Sequence, residues 1–416
     1  MSGTDQLDTD YDPFEAFDRA QGAEVVQNPY PRFAELLAES PVHEGSVQRL
    51  FGLEDTVGEA LAAGRPVFTV FSYRGVEQVL REHETFSSAG YADSMGVVMG
   101  HTILEMDEPE HHRYRSLIQQ AFTRREMQRW EREIVGPIVH ALIDRFAGRG
   151  RADLVSELTF TFPNQVIATA MGLPEEDRPQ FYRWAVEITN IAAEPARGLA
   201  ASAALGEYLG RLAEERRARP GEDLISLLAQ AELDGQRLTT EEILAFCRLL
   251  LPAGSETTYR SSSNLLHGLL SNPDQLAAVR ADRSLLSQAI EEGLRWEPPL
   301  TGISRTAVRD AVVDGVPVPA GAQVGVCIGS ANHDPSVFER PHDFDVFRPM
   351  RNHLAFATGP HMCLGMHLAR METAVLLNAV FDRLPDLRFD PDAEVPPITG
   401  LTFRAPRTLP VVFAAG

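Results

Sequence analysis

The chain has 416 residues, a formal charge of −21 and 44% hydrophobic content. That is enough apolar sequence for a large core, and too little basic surface for a general nucleic-acid binder. All 38 basic residues are Arg, with no Lys; the three cysteines, Cys247, Cys327 and Cys363, show no CxxC spacing, which excludes a disulfide framework and points to the cytoplasm.

Residues 1–12 read as a loose acidic tail without a signal-peptide pattern. Residues 13–416 read as one domain, since no repeat, low-complexity linker or composition break divides them. No apolar run approaches the ~20 residues that cross a bilayer. Short β-like runs, such as Arg65 to Ser72, fall between 38 and 72. From about 74 to 300 the pattern is mostly helical. His111 and Arg115 stand at i, i+4, and Trp130, Ile134, Ile138, Leu142 and Phe146 recur at helical spacing. Thr239-Thr240-Glu-Glu caps a helix that runs to about Leu270. Inside it, Leu251-Pro-Ala-Gly-Ser-Glu-Thr-Thr258 predicts a kink or widened turn, because Pro252 has no N–H and Gly254 loosens the turn. Read alone, this is a packing kink or a functional one. Val312 to Val318, with Asp-Gly at its centre, predicts a hairpin. Residues 364–384 read as a helix and 399–413 as a terminal hairpin. Helix dominates, with small sheets at both ends.

The most informative stretch is Phe356-Ala-Thr-Gly-Pro-His-Met-Cys-Leu-Gly365. Gly359 and Pro360 make it a loop, and an apolar stripe at Leu364, Leu368, Met371 and Val375 starts a helix directly after it. Cys363 therefore sits at a helix start, where free N–H groups favour its thiolate and so a metal. Gly359 and Gly365 leave room for a flat group close to the backbone. Cys247 and Cys327, each in an apolar run, read as core.

Phe356, Gly359, His361, Cys363 and Gly365 together resemble the haem loop of the cytochrome P450 family, in its soluble bacterial branch. Ala357 stands where that family usually has Gly. The resemblance implies the P450 fold, mainly α with small sheets. Haem b would lie between the long kinked helix and the cysteine loop, with Cys363 as iron ligand. Ala253, Gly254, Glu256 and Thr257 match the family's oxygen-binding helix segment. By that match Thr257 holds dioxygen through hydrogen bonds, and Glu256 helps relay protons. Glu292, Arg295 and Arg348 match its buried structural ion network. His111, Arg115, Arg305 and His361 match its donors to the haem propionates.

By the same register, the substrate pocket draws on Val97, Val98, Met99, Leu249, Ala253, Thr301, Ile303, Leu401 and Phe403. They suit a small lipophilic molecule. No flavin or iron–sulfur domain is fused, so two electrons must come from NAD(P)H through a separate reductase and ferredoxin. Arg113, Arg124, Arg125 and Arg129 are candidates for the docking patch on a likewise membrane-free, monomeric protein. The implied activity is monooxygenation: RH, O₂, two electrons and two protons give ROH and water. A peroxide-using or isomerising haem-thiolate enzyme and a haem-binding sensor or carrier are the alternatives; Glu256-Thr257 favours the first reading.

Overall fold

The helix Thr240–Ser271 runs through the core and positions everything else. The chain is described by a computed structural model covering residues 12–55, 62–191 and 193–415. The acidic tail, apart from Asp12, lies outside the described residues. The central helix starts where its cap dictates. Thr239 Oγ1 accepts from the Glu242 amide at 3.2 Å, and Glu242 Oε2 accepts from the Thr239 amide at 2.6 Å.

At Pro252 the helix shows no widened turn. α-Helical structure is unbroken from Thr240 to Ser271. A Cβ at Gly254 would come within 2.8 Å of Ile167 Cδ1, so Gly254 serves close packing against the helix Thr161–Ala170. A widened π-turn occurs instead at Glu131–Val135, immediately before Gly136-Pro137. There the missing Pro137 N–H is absorbed by lengthening the preceding turn. The apolar series read across this segment still faces inward, with Trp130, Ile134, Leu142 and Phe146 buried and Ile138 partly so.

One apolar cluster extends from Val98 to Phe413 around the central helix and takes in Cys247. Cys327 packs in a smaller cluster with Tyr30, Phe33 and Phe71. Burial pushes both thiols up to about 12, so they are inert apolar fillers.

The main sheet has five strands: β1 (Val42–Glu44), β2 (Val67–Val70), β3 (Phe86–Ser87), β4 (Gly302–Ala307) and β5 (Gln323–Cys327), in the order β1-β2-β5-β4-β3. β5 runs parallel to β2, with Gln323 opposite Val67, and antiparallel to β4. The predicted hairpin pairs Ala311–Val313 with Val316–Val318. Asp314 and Gly315 at its tip have φ of 45° and 88°, as a primed turn requires. The C-terminus departs from the single hairpin expected over 399–413. Ile398–Thr399 pairs with Ala405–Pro406, but Pro410–Val412 pairs with Arg151–Asp153 and Arg388–Phe389. Local pattern marks a strand; only tertiary packing chooses a partner more than 250 residues away. Among the described residues, no helix is long and apolar enough to cross a membrane.

Below the core, Glu292, Arg295 and Arg348 meet in a buried network. Arg295 binds Glu292 through both carboxylate oxygens at 2.7 Å, and Arg348 Nε lies 3.2 Å from each of them. The remaining guanidinium donors go to backbone carbonyls of Asn332, Pro341, Arg340 and Asp343. The carboxylate thus ties the helix Leu286–Trp296 to the irregular chain preceding the cysteine loop. Glu292→Met leaves the buried Arg295 and Arg348 guanidinium groups without their carboxylate and should cost about 3–5 kcal/mol, read as a lower denaturation midpoint.

Candidate functional site

The loop carrying Cys363 is folded tightly on itself and on the helix Tyr73–Arg81. The Cys363 amide donates to Phe356 O at 2.9 Å, the Ala357 amide to Leu354 O at 2.8 Å, and the Met362 amide to Gly359 O at 3.1 Å. Gly359 has φ +77°, and a Cβ there would stand 2.4 Å from Leu80 O, so only glycine fits. Ala357 also adopts left-handed backbone, φ 57°, where an alanine is strained.

The helix Met366–Arg383 begins after its N-cap Gly365, two residues beyond Cys363. The thiol exposes surface although protein atoms surround it on nearly every side, so it lines an internal recess. Burial raises its pKa, opposed by the Gly365 N–H and by Arg115 and Arg370. The helix start does favour the thiolate, as expected, but desolvation outweighs it. A metal cation would supply the missing stabilisation.

Four basic side chains converge beside this recess. The His111 and His361 rings lie 4.1 Å apart, and Arg115 Nη2 donates to Met362 O at 2.6 Å. Arg305 is buried on β4 and donates to Ser304 O. Burial, aided by His111, Arg305 and Arg115, drives His361 down to about 3. His361 Nε2 lies 3.2 Å from Ser88 Oγ. His111 Nδ1 lies 3.1 Å from Glu108 Oε1, while its Nε2 is buried without a partner. Among the described residues, neither Arg115 nor Arg305 has a carboxylate within ion-pair distance. The fold thus concentrates desolvated donors and leaves them short of anions.

On the central helix, Ala253 exposes surface between buried Pro252 and half-buried Gly254. Thr257 Oγ1 donates to Ala253 O at 2.8 Å. Glu256 is buried and paired with Arg260 at 3.1 Å. Arg260 in turn binds Asp18 of the N-terminal helix Pro13–Ala20 at 2.7 Å. Burial raises the Glu256 pKa against the pull of Arg260.

A second network beneath the loop escaped the sequence reading. Arg370 binds Glu291 through both oxygens at 2.6 and 2.7 Å, His353 Nε2 reaches Glu291 at 3.1 Å, and the Arg370 guanidinium sits 4.6 Å over the Phe356 ring. The signal was present: Arg370 follows Cys363 by two helical turns. Burial works against the Glu291 charge, but Arg370 and His353 hold its pKa down at about 2.

The expected pocket residues separate. Val98 and Met99 pack into the core and Val97 is exposed. Leu249 and Ile303 are partly buried against the apolar clusters. Thr301 donates to Leu401 O at 2.6 Å, and Leu401 is buried among N-terminal residues. Phe403 stacks 5.3 Å from Phe17. Of the surface arginines, Arg124 and Arg125 are exposed. Arg113, also exposed, donates to Gln236, and Arg129 is half-buried and held by Glu126 and the Glu222 carbonyl.

The Cytochrome P450 family model matches residues 196–408. Cytochrome P450 monooxygenase PikC of Streptomyces venezuelae is 37% identical over 379 residues, covering 89% of this chain and 87% of that one. The structure of cytochrome P450 CYP109Q5 from Chondromyces apiculatus superimposes with a TM-score of 0.83 at 34% identity, covering 95% and 98%. CYP109E1 from Bacillus megaterium in complex with testosterone gives 0.80 at 32%, covering 92% and 99%. The chain belongs to the cytochrome P450 family and is a monooxygenase of that family. The site fits haem: an accessible thiol in a recess, a buried orphan nitrogen on His111, and two arginines without carboxylates.

Two outcomes follow from this geometry. Ala357→Gly removes the left-handed strain and should raise unfolding free energy by up to about 1 kcal/mol, measured by denaturant titration. The Glu291 carboxylate, held below its unfolded value of 4.5, contributes stability above that pH, and this is lost as pH falls toward about 2. In Glu291→Gln, acid titration of stability should flatten between about pH 4.5 and 2.

Proposed function

We propose that this chain inserts one oxygen atom of O₂ into a lipophilic substrate, hydroxylating or epoxidising it, with electrons from NAD(P)H through a separate reductase and ferredoxin. The observation that carries the reading is the pairing of Cys363 in its recess with Glu256-Thr257 on the central helix. A sensor or carrier needs the first but not the second. The testosterone complex of CYP109E1 supports a lipophilic substrate class of that size.

Cys363 would ligate haem b, and His111, Arg115, Arg305 and His361 would take its propionates. When bound, haem supplies the iron at which dioxygen is reduced. The protein's part is to hold donors and move protons. Thr257, held to Ala253 O, presents its oxygen lone pairs as hydrogen-bond acceptors. Glu256 is the nearest carboxyl in sequence, and the pair with Arg260 and Asp18 links it toward the surface. Arg260 stays protonated, so it orients Glu256 rather than passing protons itself. Exposed Arg124 and Arg125 are the surface cations best placed to meet an acidic ferredoxin. The protein acts as a cytoplasmic monomer in this reading.

Cys363→Ala should abolish the thiolate-type absorption of the reduced, CO-treated protein. The unaltered protein with NAD(P)H, a surrogate ferredoxin and its reductase should give O₂-dependent product across a panel of steroids and macrolides. Product that needs only peroxide, and no O₂, would favour the peroxide-using alternative.

A further inference from the structure

The central helix carries a guanidinium that neither the fold nor the oxygen chemistry uses. Arg248 is half-buried, and its Nε is buried without a hydrogen-bond partner. Among the described residues no carboxylate lies within ion-pair distance of it. The other core arginines behave differently: Arg260, Arg295 and Arg404 pair with Asp18, Glu292 and Glu297 at 2.7 Å.

The position of Arg248 is built rather than incidental. A Cβ at Gly206, on the helix Pro195–Ala218, would stand 1.8 Å from Arg248 Nη2, so the absence of a side chain there leaves room for the guanidinium as it lies. Gly100, at φ +82°, ends the short helix Gly96–Met99, and its Cβ would lie 4.0 Å from Nη1. Ser202 Oγ donates to Val98 O and ties these two elements together beside the slot. The guanidinium therefore lies where three elements meet: the central helix, the helix Pro195–Ala218 and the Val97–Gly100 segment. Burial lowers its pKa, opposed by Glu241 and Cys247 on its own helix. An uncompensated cation held partly out of water is costly, and an incoming anion offsets that cost.

We propose that Arg248 anchors the carboxylate of an amphipathic substrate, whose apolar body extends toward Leu249 and Ala253. This rests on the monooxygenase reading and sharpens its substrate class from lipophilic to lipophilic acid. A planar guanidinium suits a carboxylate because its fork can bind both oxygens. Arg248 precedes Ala253 by five residues, roughly 7.5 Å along the helix axis and about 140° around it, so the long side chain rather than a shared helix face would bring its guanidinium to the substrate. Oxidation should therefore fall along the chain, away from the carboxyl end.

The test is a haem spin-state titration of the loaded protein with dodecanoic acid and with its methyl ester, which share the apolar body. The unaltered protein should bind the acid about tenfold to a hundredfold more tightly at low salt, with the preference shrinking as salt rises. Arg248→Gln should bring the acid to the ester's affinity and leave the ester within twofold. Gly206→Ala keeps the charge but forces the guanidinium end to shift, and should reduce the preference. Equal affinities in the unaltered protein, equal weakening of both ligands in Arg248→Gln, or no response to the acid would each overturn the anchor. The reduced CO spectrum keeps the two readings apart. With a thiolate-type spectrum in every variant, those failures count against the anchor alone; without one in the unaltered protein, the haem reading falls and takes the anchor with it.

Discussion

The fold depends on carrying a polar sequence through an apolar core. Ser255 to Asn264 of the central helix is ten consecutive polar residues, all buried except half-buried Thr257. Unpaired, such groups would each cost about 1–3 kcal/mol. The helix answers locally where it can: Ser255, Thr257, Ser261 and Ser262 donate to carbonyls of the preceding turn. Elsewhere the answer is tertiary. Ser263 bonds Thr159, Asn264 donates to the carbonyls of Glu297 and Arg404, and Glu256 and Arg260 neutralise each other with Asp18. Pairing most of this run, with Asn264 Oδ1 left without a partner, fixes the register of the helix against its neighbours. That register in turn sets where Ala253 and Thr257 stand.

The second organising feature is an imbalance of charge. A chain of net −21 gathers His111, Arg115, Arg305 and His361 around one recess, where His111 meets Glu108 but, among the described residues, Arg115 and Arg305 have no carboxylate within ion-pair distance. Where the same chain needs rigidity it does the opposite. Glu292 holds two arginines, Glu291 holds Arg370 and His353, and Glu297 holds Arg404 and the Tyr30 hydroxyl. Paired cations are structure; unpaired, desolvated cations are binding capacity. With no lysine in the chain, planar guanidinium groups do both jobs.

The loop around Cys363 shows how local strain follows from approach distance. Gly359 lets the loop backbone lie against Leu80 of the neighbouring helix, and Ala357 accepts a left-handed conformation to complete the turn. The loop is held from below by Arg370 on Phe356 and by the Glu292 network that anchors the chain leading into it. The loop is thus held both by its own backbone hydrogen bonds and by neighbours distant in sequence.

Much was legible in the sequence because it depends on near neighbours. The Thr239–Glu242 cap, the Asp314-Gly315 turn, the helix after Gly365 and the Glu292–Arg295 pair each lie within a few residues. The identity of the family was legible for the same reason, since its motifs are short and ordered. What only tertiary structure decided involves partners far along the chain or competition with burial. It sent Pro410–Val412 to Arg151–Asp153, joined Glu256 to Asp18 through Arg260, and paired Glu291 with Arg370. It packed Gly254 against Ile167, and it raised the Cys363 pKa where the helix start alone would lower it. It also left Arg248 without a carboxylate, which no pattern of spacing reveals. Spacing specifies which groups share a face; desolvation, which needs all three dimensions, decides what those groups must find there.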